Sequence, residues 1–457
     1  METTTAHRVD APHAHRLIEA MGAFGDADAV VFDGRTHSHA DLRRLVDVWD
    51  GRLDGRGVRA GDVVTLEGPY SPQGCAGLLA LIARGAIVVP LSAVPAAKRT
   101  EFLAVAEVEA TITVDGDDWS FERTGVRAEH ELYGRLRAAG RPGLVLFSSG
   151  TTGRSKASVL DFEKVLARYE GRRRPNRILS FLNLDHIGGV NTLMHTLVNG
   201  GTVVTVADRT ADVVFAAIER HRVEVLPTTP TFLNMVLFSG AHERHDTSSL
   251  KMITYGTEPM PLQTLKALNA RLPHVRFKQT YGLSELGILP TRSRGDDTLW
   301  VKLGDAGFAH KIVDGVLWIR SEMAMLGYLN APAPFDEEGY FNTQDAVEVD
   351  GEWVRILGRK SELINVGGEK VYPSEIESVL LELDNIAEAT VSGKPNPVTG
   401  MVVKAVVTLI EPEDRVALNR RVREFCARRL ESYKVPAVVE IATEAQHSER
   451  FKKIRSA

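Results

Sequence analysis

The sequence predicts an α/β protein in two parts. A large N-terminal domain of parallel-rich sheets with flanking helices takes residues 1–357, and a small α+β C-terminal domain takes residues 362–457, with the boundary at 358–361. Three observations carry this expectation. The 457 residues leave room for about three domain-sized units of roughly 150 residues each. Up to Arg359, strand-like apolar runs alternate with helix-like runs, the pattern of a largely parallel sheet with helices on its faces. After Arg359 the texture changes to a helix, two adjacent strands and a second helix, over about a hundred residues, a normal domain size.

In chain order, Val30-Val31-Phe32 is a strand and Asp33-Gly34 its turn. Ser38, three residues before Asp41, caps a helix that runs to about Leu53 with Leu42, Leu45, Val46 and Trp49 on one face. Gly57–Val64 turns into a further strand, Ser71–Ala83 is a helix and Ala86–Leu91 a strand. Leu144–Phe147 is a buried strand. A helix ends at Asn199 against Gly200-Gly201, followed by a strand at Thr202–Val206, a helix at Ala211–His221, strands at Val223–Pro227 and Met252–Tyr255, and a helix at Leu262–Leu272. In the small domain, a helix covers Tyr372–Leu383, strands cover Ile386–Val391 and Val402–Ile410, and a second helix covers Asp414–Tyr433.

Composition excludes several classes. Hydrophobic content of 44% and charged content of 25% are those of a soluble globular chain. A net charge of −5 provides no basic field for nucleic acid. Cys75 and Cys426 form neither a metal-ligand spacing nor a disulfide framework, which fits a reducing cytoplasm. Met1–Ala20 is polar and lacks the apolar core of a secretory signal. The most apolar stretch, Ala76–Val94, is interrupted by Arg84, Gly85 and Pro90, so it reads as a helix feeding a buried strand and not as a membrane span.

The chain is organised around Ser148-Ser149-Gly150-Thr151-Thr152-Gly153-Arg154-Ser155-Lys156-Ala157, which follows an apolar strand. Glycines let backbone N–H groups approach an anion, hydroxyls donate further hydrogen bonds, and Lys156 adds positive charge, so every group suits a polyphosphate. The spacing is not that of the common P-loop. In Gln279-Thr280-Tyr281-Gly282-Leu283-Ser284-Glu285 an aromatic ring beside glycine offers a face to a planar base, and a hydroxyl and a carboxylate follow at three and four residues. Magnesium prefers such oxygen ligands together with substrate phosphates. Gly256-Thr257-Glu258-Pro259 follows a strand, and its glycine permits close approach of a flat ring.

These segments, in this order, resemble the adenylate-forming (AMP-binding) superfamily, and most resemble acyl-CoA synthetases. The phosphate loop resembles the family's Ser-Gly-Thr-Thr-Gly-x-Pro-Lys-Gly, with Ser155 for the proline and Ala157 for the last glycine. Tyr281–Glu285 resembles its Tyr-Gly-x-Thr/Ser-Glu, and Gly256–Pro259 its Gly-Ala-x-Pro. Tyr340–Asp345 resembles Tyr-x-Thr-Gly-Asp, with Gln344 for the glycine. Gly358–Glu377 resembles the hinge and thiolation loop, with Ser361 at the hinge and Gly367-Gly368 in the loop. Phe451–Arg455 resembles the Gly-Lys-Ile segment, with Lys453 as the candidate lysine ahead of Lys452.

The resemblance covers about residues 30–455. It implies a mobile small domain and a site for ATP or AMP built from Ser148, Ser149, Gly150, Thr151, Thr152, Gly153, Lys156, Gly256, Thr257, Glu258, Tyr281, Gly282, Ser284, Asp345 and Arg359. Tyr281 would stack on adenine, Ser284 contact the α-phosphate, Asp345 bind ribose, Arg359 bind ribose or phosphate, and Glu285 with Thr152 hold Mg²⁺. Lys453 would bridge the substrate carboxylate and the α-phosphate. His186, beside Asp185, either gates the acyl pocket, touches the carboxylate or is structural. The implied reaction joins a small-molecule carboxylic acid to AMP and passes it to a thiol, most readily coenzyme A. The alternatives are a carrier protein, an amine or a small nitrogen nucleophile such as nitrite, or a nucleotide-binding pseudoenzyme. A monomer or a homodimer is expected.

Overall fold

The computed structural model describes residues 9–92, 94–149, 155–171, 173–206, 208–304, 307–444, 446–448 and 453–454. Two seven-stranded sheets dominate the large domain. The first has the order Arg276–Gln279, Met252–Tyr255, Val225–Thr228, Arg177–Leu179, Thr202–Val204, Asp28–Phe32, Arg35–Ser38, parallel throughout except for the last hairpin. The second has the order Gly327–Tyr328, Ser155–Asp161, Gly143–Ser149, Ile87–Leu91, Val63–Glu67, Ala110–Asp115, Asp118–Arg123. Its four central strands run parallel and its rims antiparallel. One apolar core joins the sheets through the helices His39–Gly55, Pro72–Ala83 and Ile187–Val198, with Trp49, Leu78 and Leu193 fully buried among Val30, Val64 and Leu144.

Local sequence explains the elements that position these layers. Ser38 and Asp41 exchange side-chain and backbone hydrogen bonds in a capping box at the start of His39–Gly55. The apolar run from Ala76 is the buried helix Pro72–Ala83 followed by the buried strand Ile87–Leu91, as its punctuation by Arg84 and Gly85 requires. Among the described residues no helix is long and apolar enough to cross a membrane.

A third sheet has no counterpart in the sequence reading. Six antiparallel strands, in the order Thr291–Ser293, Val301–Leu303, Trp353–Arg359, Phe341–Asp350, Val316–Ser321, Phe308–Val313, fill the end of the large domain. Two of these strands have three residues, and in the longer ones burial does not alternate regularly, so no clean two-residue period appears.

Strand Trp353–Arg359 leads through one turn of 3-10 helix, Lys360–Glu362, into the small domain. There the strands Glu369–Val371, Ile364–Val366, Gly400–Leu409 and Ile386–Asn396 form a sheet, with Val438–Ile441 beside Gly400–Leu409. Helices Pro373–Leu380 and Arg415–Ala427 close its core on Ile376, Leu380, Val391 and Leu418. The second helix ends at Ala427 and not near Tyr433. Its apolar period breaks at Arg428-Arg429, and Lys434 is drawn onto Glu375 at 2.7 Å.

Candidate active site

In open sheets of parallel strands, ligands bind outside the strands' carboxyl ends. Here the carboxyl ends of two neighbouring parallel strands lead into Gly256–Glu258 and Tyr281, while Asp345 and Arg359 come from the antiparallel sheet. Met252–Tyr255 and Arg276–Gln279 lie side by side in parallel, so Gly256 and Thr280 leave the sheet together. A Cβ on Gly256 would stand 2.6 Å from the Thr280 carbonyl oxygen, so only glycine fits. Thr257 then adopts φ +74, a left-handed conformation that is costly for a β-branched residue and typical of functional turns. Glu258 turns its Oε1 to accept the Thr231 N–H at 2.8 Å, in the first turn of the helix Pro230–Ser239, where a carboxylate is favoured.

Tyr281 follows directly. It is buried, and its hydroxyl donates to the carboxylate of Asp345. Burial first, then the Asp345 charge, holds the phenol far above its ordinary pKa, so it stays a neutral donor. Asp345 pairs in register with Arg359 across the antiparallel strands Phe341–Asp350 and Trp353–Arg359, and its Oδ1 lies 3.4 Å from the Arg359 Nε. Burial opposes the Arg359 charge, but Asp345, Tyr281, Glu285 and Glu362 outweigh it and raise its pKa. Thr343 accepts the Asp345 N–H at 3.1 Å and anchors itself to the Leu317 carbonyl at 2.7 Å.

Gln344 stands where the sequence motif expects glycine, and it adopts the glycine conformation, φ +62, with its N–H donated to Asn342 Oδ1. The backbone is therefore kept at the cost of strain. Left-handed geometry costs a non-glycine residue about 1–2 kcal/mol, and glycine's extra chain entropy returns roughly 0.5–1 kcal/mol of that. Gln344→Gly is expected to stabilise the fold by about 0.5–1 kcal/mol, read by thermal unfolding; a destabilised variant would contradict it.

The acidic end of the motif is equally fixed. Glu285 is buried and accepts the Tyr328 hydroxyl at 2.7 Å, while its carbonyl takes the Met325 N–H at 2.7 Å. Lys156 places its ammonium 5.2 Å from the centre of the Tyr328 ring. Gly282 lets the hairpin Tyr281–Leu283/Gly287–Leu289 close, since a Cβ there would meet the Gly287 oxygen at 2.9 Å. Ser284 lies half-buried at its turn.

Ser148 and Lys156 face each other on the hairpin Gly143–Ser149/Ser155–Asp161, and Ser149 pairs with Ser155 at its tip. Gly150, Thr151, Thr152 and Gly153 lie outside the described residues. Asn330 clamps the returning strand, accepting the Ala157 N–H at 3.1 Å and donating to the Ser155 carbonyl at 2.8 Å.

Two contact groups, Lys156–Tyr328–Glu285 and Arg359–Asp345–Tyr281, thus stand together, coupled by the attraction of Glu285 for the Arg359 charge, with Gly256–Glu258 alongside through Thr280. Among the described residues no group of three or more His, Cys, Asp or Glu could hold a metal. Glu285 offers a single carboxylate, which fits magnesium, because that ion takes one or two carboxylates and completes its shell with phosphates and water. Tyr328 and Asn330 were not singled out from sequence, and Thr343 entered that reading as part of the Tyr340–Asp345 motif without a role of its own. A tyrosine after a glycine and an asparagine in a turn carry no local mark of function.

Two further candidates, Lys453 and His186, lie outside these contacts, and the cap made by His186 is the structural alternative left open for it. The Lys453 ammonium is bound within the small domain, to Glu377 Oε2 at 2.9 Å and to the Ala389 carbonyl at 2.9 Å. Its backbone N–H reaches the large domain, at Glu258 Oε2, 3.3 Å away. The cause is Glu377, a buried carboxylate whose other oxygen accepts the Val391 N–H at 3.0 Å and which needs a cation. His186 caps the helix Ile187–Val198, its Nδ1 accepting the Gly188 N–H at 2.9 Å. With Nδ1 an acceptor, a neutral ring carries its proton on Nε2. Gly189 is sterically required in this turn, since a Cβ would fall 2.0 Å from the Asn183 oxygen.

Comparison with known proteins gives concordant findings. The family model described as "AMP-binding enzyme" matches residues 17–329, and "AMP-binding enzyme C-terminal domain" matches residues 375–452. The indoleacetate–CoA ligase of Aromatoleum aromaticum is 29% identical over 466 residues, covering 90% of each chain. Among solved structures, the anthranilate–CoA ligase AuaEII in complex with anthranoyl-AMP superposes with a TM-score of 0.80 at 19% identity, covering 96% of this chain and 95% of that one. The amide bond synthetase McbA of Marinactinospora thermotolerans superposes with a TM-score of 0.78 at 22% identity, covering 96% and 97%.

Proposed function

The chain belongs to the family of AMP-binding enzymes, and on that premise we propose that it joins a carboxylic acid to AMP at the expense of ATP, releases pyrophosphate, and passes the acyl group to the thiol of coenzyme A. A carboxylate oxygen of the acid attacks the α-phosphorus, and the bond from that phosphorus to the β-phosphate bridging oxygen breaks. Such chemistry rests on positioning and on neutralising charge. Lys156 and the loop 148–153 take the polyphosphate, Ser284 the α-phosphate, Tyr281 and the Gly256–Glu258 turn the adenine, Asp345 and Arg359 the ribose. Glu285 and Thr152 would hold Mg²⁺, which supplies neutralisation of the phosphate charge. The observation that carries the reading is two runs of contacts, Lys156–Tyr328–Glu285 and Arg359–Asp345–Tyr281, coupled by the attraction between Glu285 and Arg359, which bring together the cation, carboxylate, guanidinium and aromatic ring that phosphate, metal, ribose and base require.

The test is pyrophosphate release over a panel of aryl and alkyl acids, followed by product mass with and without coenzyme A. Acyl-CoA in the first case supports the proposal. ATP that fails to bind, or pyrophosphate that never appears, overturns it. A second reading keeps adenylation and changes the acceptor to a carrier protein, an amine or another nitrogen nucleophile. It draws on the likeness to an amide bond synthetase and on the departures Ser155, Ala157, Gln344, Ser361 and Lys452. An amide product in the absence of coenzyme A would favour it.

The small domain, residues 362–457, is proposed to turn about the hinge 358–361 between the two half-reactions. Support comes from the exposed turn Lys360–Glu362 and from Gly367-Gly368, both with positive φ, at an exposed hairpin tip where a Cβ on Gly368 would meet open space. Ser361→Pro is expected to slow transfer from pre-made acyl-AMP more than pyrophosphate release, because hinge residues absorb the dihedral change. Equal slowing of both half-reactions would contradict the hinge.

A further inference from the structure

The first sheet has two unequal faces. On one, Leu226, Ile253 and Phe277 enter a core closed by the helices Ala211–His221, Pro230–Ser239 and Leu262–Arg271. Val225, Pro227, Met252, Thr254 and Lys278 alternate with them, so they lie on the other face, and all five stay half-buried. In-register pairing sets Pro227, Thr254 and Lys278 in one row across three strands. Val225 pairs with Ile178 and Ile178 with Val203, and Val203 shares a core with Leu193 and Leu197 of the helix Ile187–Val198. That helix therefore stands over the same face, beside the row.

The row and the helix bring cations together. Lys278 makes no hydrogen bond or ion pair with any described residue. Burial, then Arg276 and Arg173, push its pKa down. His195, in the last turn of Ile187–Val198, is pushed down by burial, then by Arg173 and Arg168. Arg173 thus bears on both. Its N–H is held by the side chain of Asn199, the residue that ends the same helix. Arg168 reaches the Ile288 carbonyl, on the hairpin that carries Tyr281. Among the described residues only cations bear on Lys278 and His195. Glu224, which precedes Val225, is engaged elsewhere: its Oε2 accepts the Arg177 N–H at 2.9 Å, and its Oε1 meets Lys251 and, at 3.8 Å, Arg174. Cations gathered in a half-buried place without a carboxylate repel one another and lose hydration, and a bound anion relieves both penalties.

Strand direction shows where such an anion would come from. Thr254 and Lys278 stand two residues, about 7 Å, before Gly256 and Thr280, which lead into the turns proposed for adenine. An acid whose carboxyl group meets the α-phosphate beyond those turns has this face along which to extend, between the strands and the helix that His186 caps.

We infer that the carboxylic acid activated by this chain carries a second anionic group at its far end, held by Lys278 with His195 and Arg173. Pro227 and Thr254 flank the middle of the molecule. The inference names the substrate class of the proposed reaction and rests on the adenylation reading.

The test is pyrophosphate release from ATP with succinate, adipate, sebacate and terephthalate, each beside its monomethyl ester, which keeps one carboxylate and loses the other charge. The expected result is a diacid used about 10–100-fold better in kcat/KM than its ester, the worth of a hydrogen bond to a charged group. Lys278→Met lowers that ratio by about ten-fold or more, and Lys278→Glu turns the preference toward the ω-amino acid of the same length. Calorimetric binding of ATP by each variant shows that it is folded. A ratio near one for every pair, or an unchanged ratio in Lys278→Met, overturns the inference. Calorimetric titration of the diacids keeps the two readings apart. Pyrophosphate released equally well with esters and diacids loses only the anion site. A diacid that binds native chain but not Lys278→Met, with no pyrophosphate from any acid, loses the adenylation reading and leaves the anion site standing.

Discussion

Lys453→Ala is expected to lower ATP–pyrophosphate exchange by about 10²–10³-fold, the usual loss when a preorganised cationic donor is removed from a developing negative charge. The structure adds a second consequence. Lys453 neutralises Glu377, whose side chain is only 3% exposed, and removing one partner of such a buried pair costs about 3–5 kcal/mol. A plain loss of activity would therefore confound chemistry with folding. The double variant Lys453→Ala/Glu377→Gln separates them. Glutamine still accepts the Val391 N–H through its amide oxygen and carries no charge to strand, so thermal stability should return. Exchange should not return. Recovery of both together would make Lys453 a structural residue and end its assignment to the reaction. Transfer from pre-made acyl-AMP should survive the double change, because the role proposed for the lysine is confined to the first half-reaction. Glu377→Gln alone, which frees the ammonium, should keep exchange intact or raise it.

How far the site could be read without coordinates depends on the range of the interaction concerned. Gly256 and Gly282 announce themselves, because a backbone that passes within a methyl group of another leaves no choice of residue. Tyr281 opens a short strand, Glu285 sits in the turn after it and Asp345 lies inside a strand, and each was legible through the motif around it. The helix Pro72–Ala83 and the parallel strands follow from long apolar runs. Signals fail where partners are distant in sequence. Asn330 holds Ala157 across 173 positions, and Lys453 meets Glu377 across 76. Neither residue carries a local mark of its partner. The six-stranded antiparallel sheet that presents Asp345 and Arg359 was illegible for another reason: two of its strands have three residues, and along the two that carry Asp345 and Arg359 burial does not alternate regularly, so no clean two-residue period appears. Gln344 shows a third kind of limit. Its identity argues for altered backbone, yet the surrounding hydrogen bonds impose the glycine conformation on it.

Asp345→Asn is expected to weaken ATP by about 10–100-fold, since a hydrogen bond to a charged group is worth about 1.5–3 kcal/mol and each 1.4 kcal/mol is ten-fold. The carboxylate accepts the Tyr281 hydroxyl on one oxygen and faces Arg359 with the other, so it joins the ring proposed for adenine to the cation proposed for ribose or phosphate. Asparagine keeps one acceptor but loses the charge that raises the Arg359 pKa. The loss must be tied to the ribose and not to a general loosening of the cluster. Calorimetry with ATP, 2′-deoxy-ATP and 3′-deoxy-ATP supplies that tie. The native chain should bind the deoxy nucleotides more weakly than ATP, because a buried carboxylate left without its hydroxyl partner is penalised. In Asp345→Asn the gap between ATP and the deoxy nucleotides should shrink. A gap of unchanged size would mean that the ribose is read by other residues, and the nucleotide would have to lie elsewhere than along Asp345. Tyr281→Phe provides the complementary control. It removes the donor to Asp345 and keeps the ring, so base stacking persists while the carboxylate is left freer for ribose, and ATP affinity should change by far less than in Asp345→Asn.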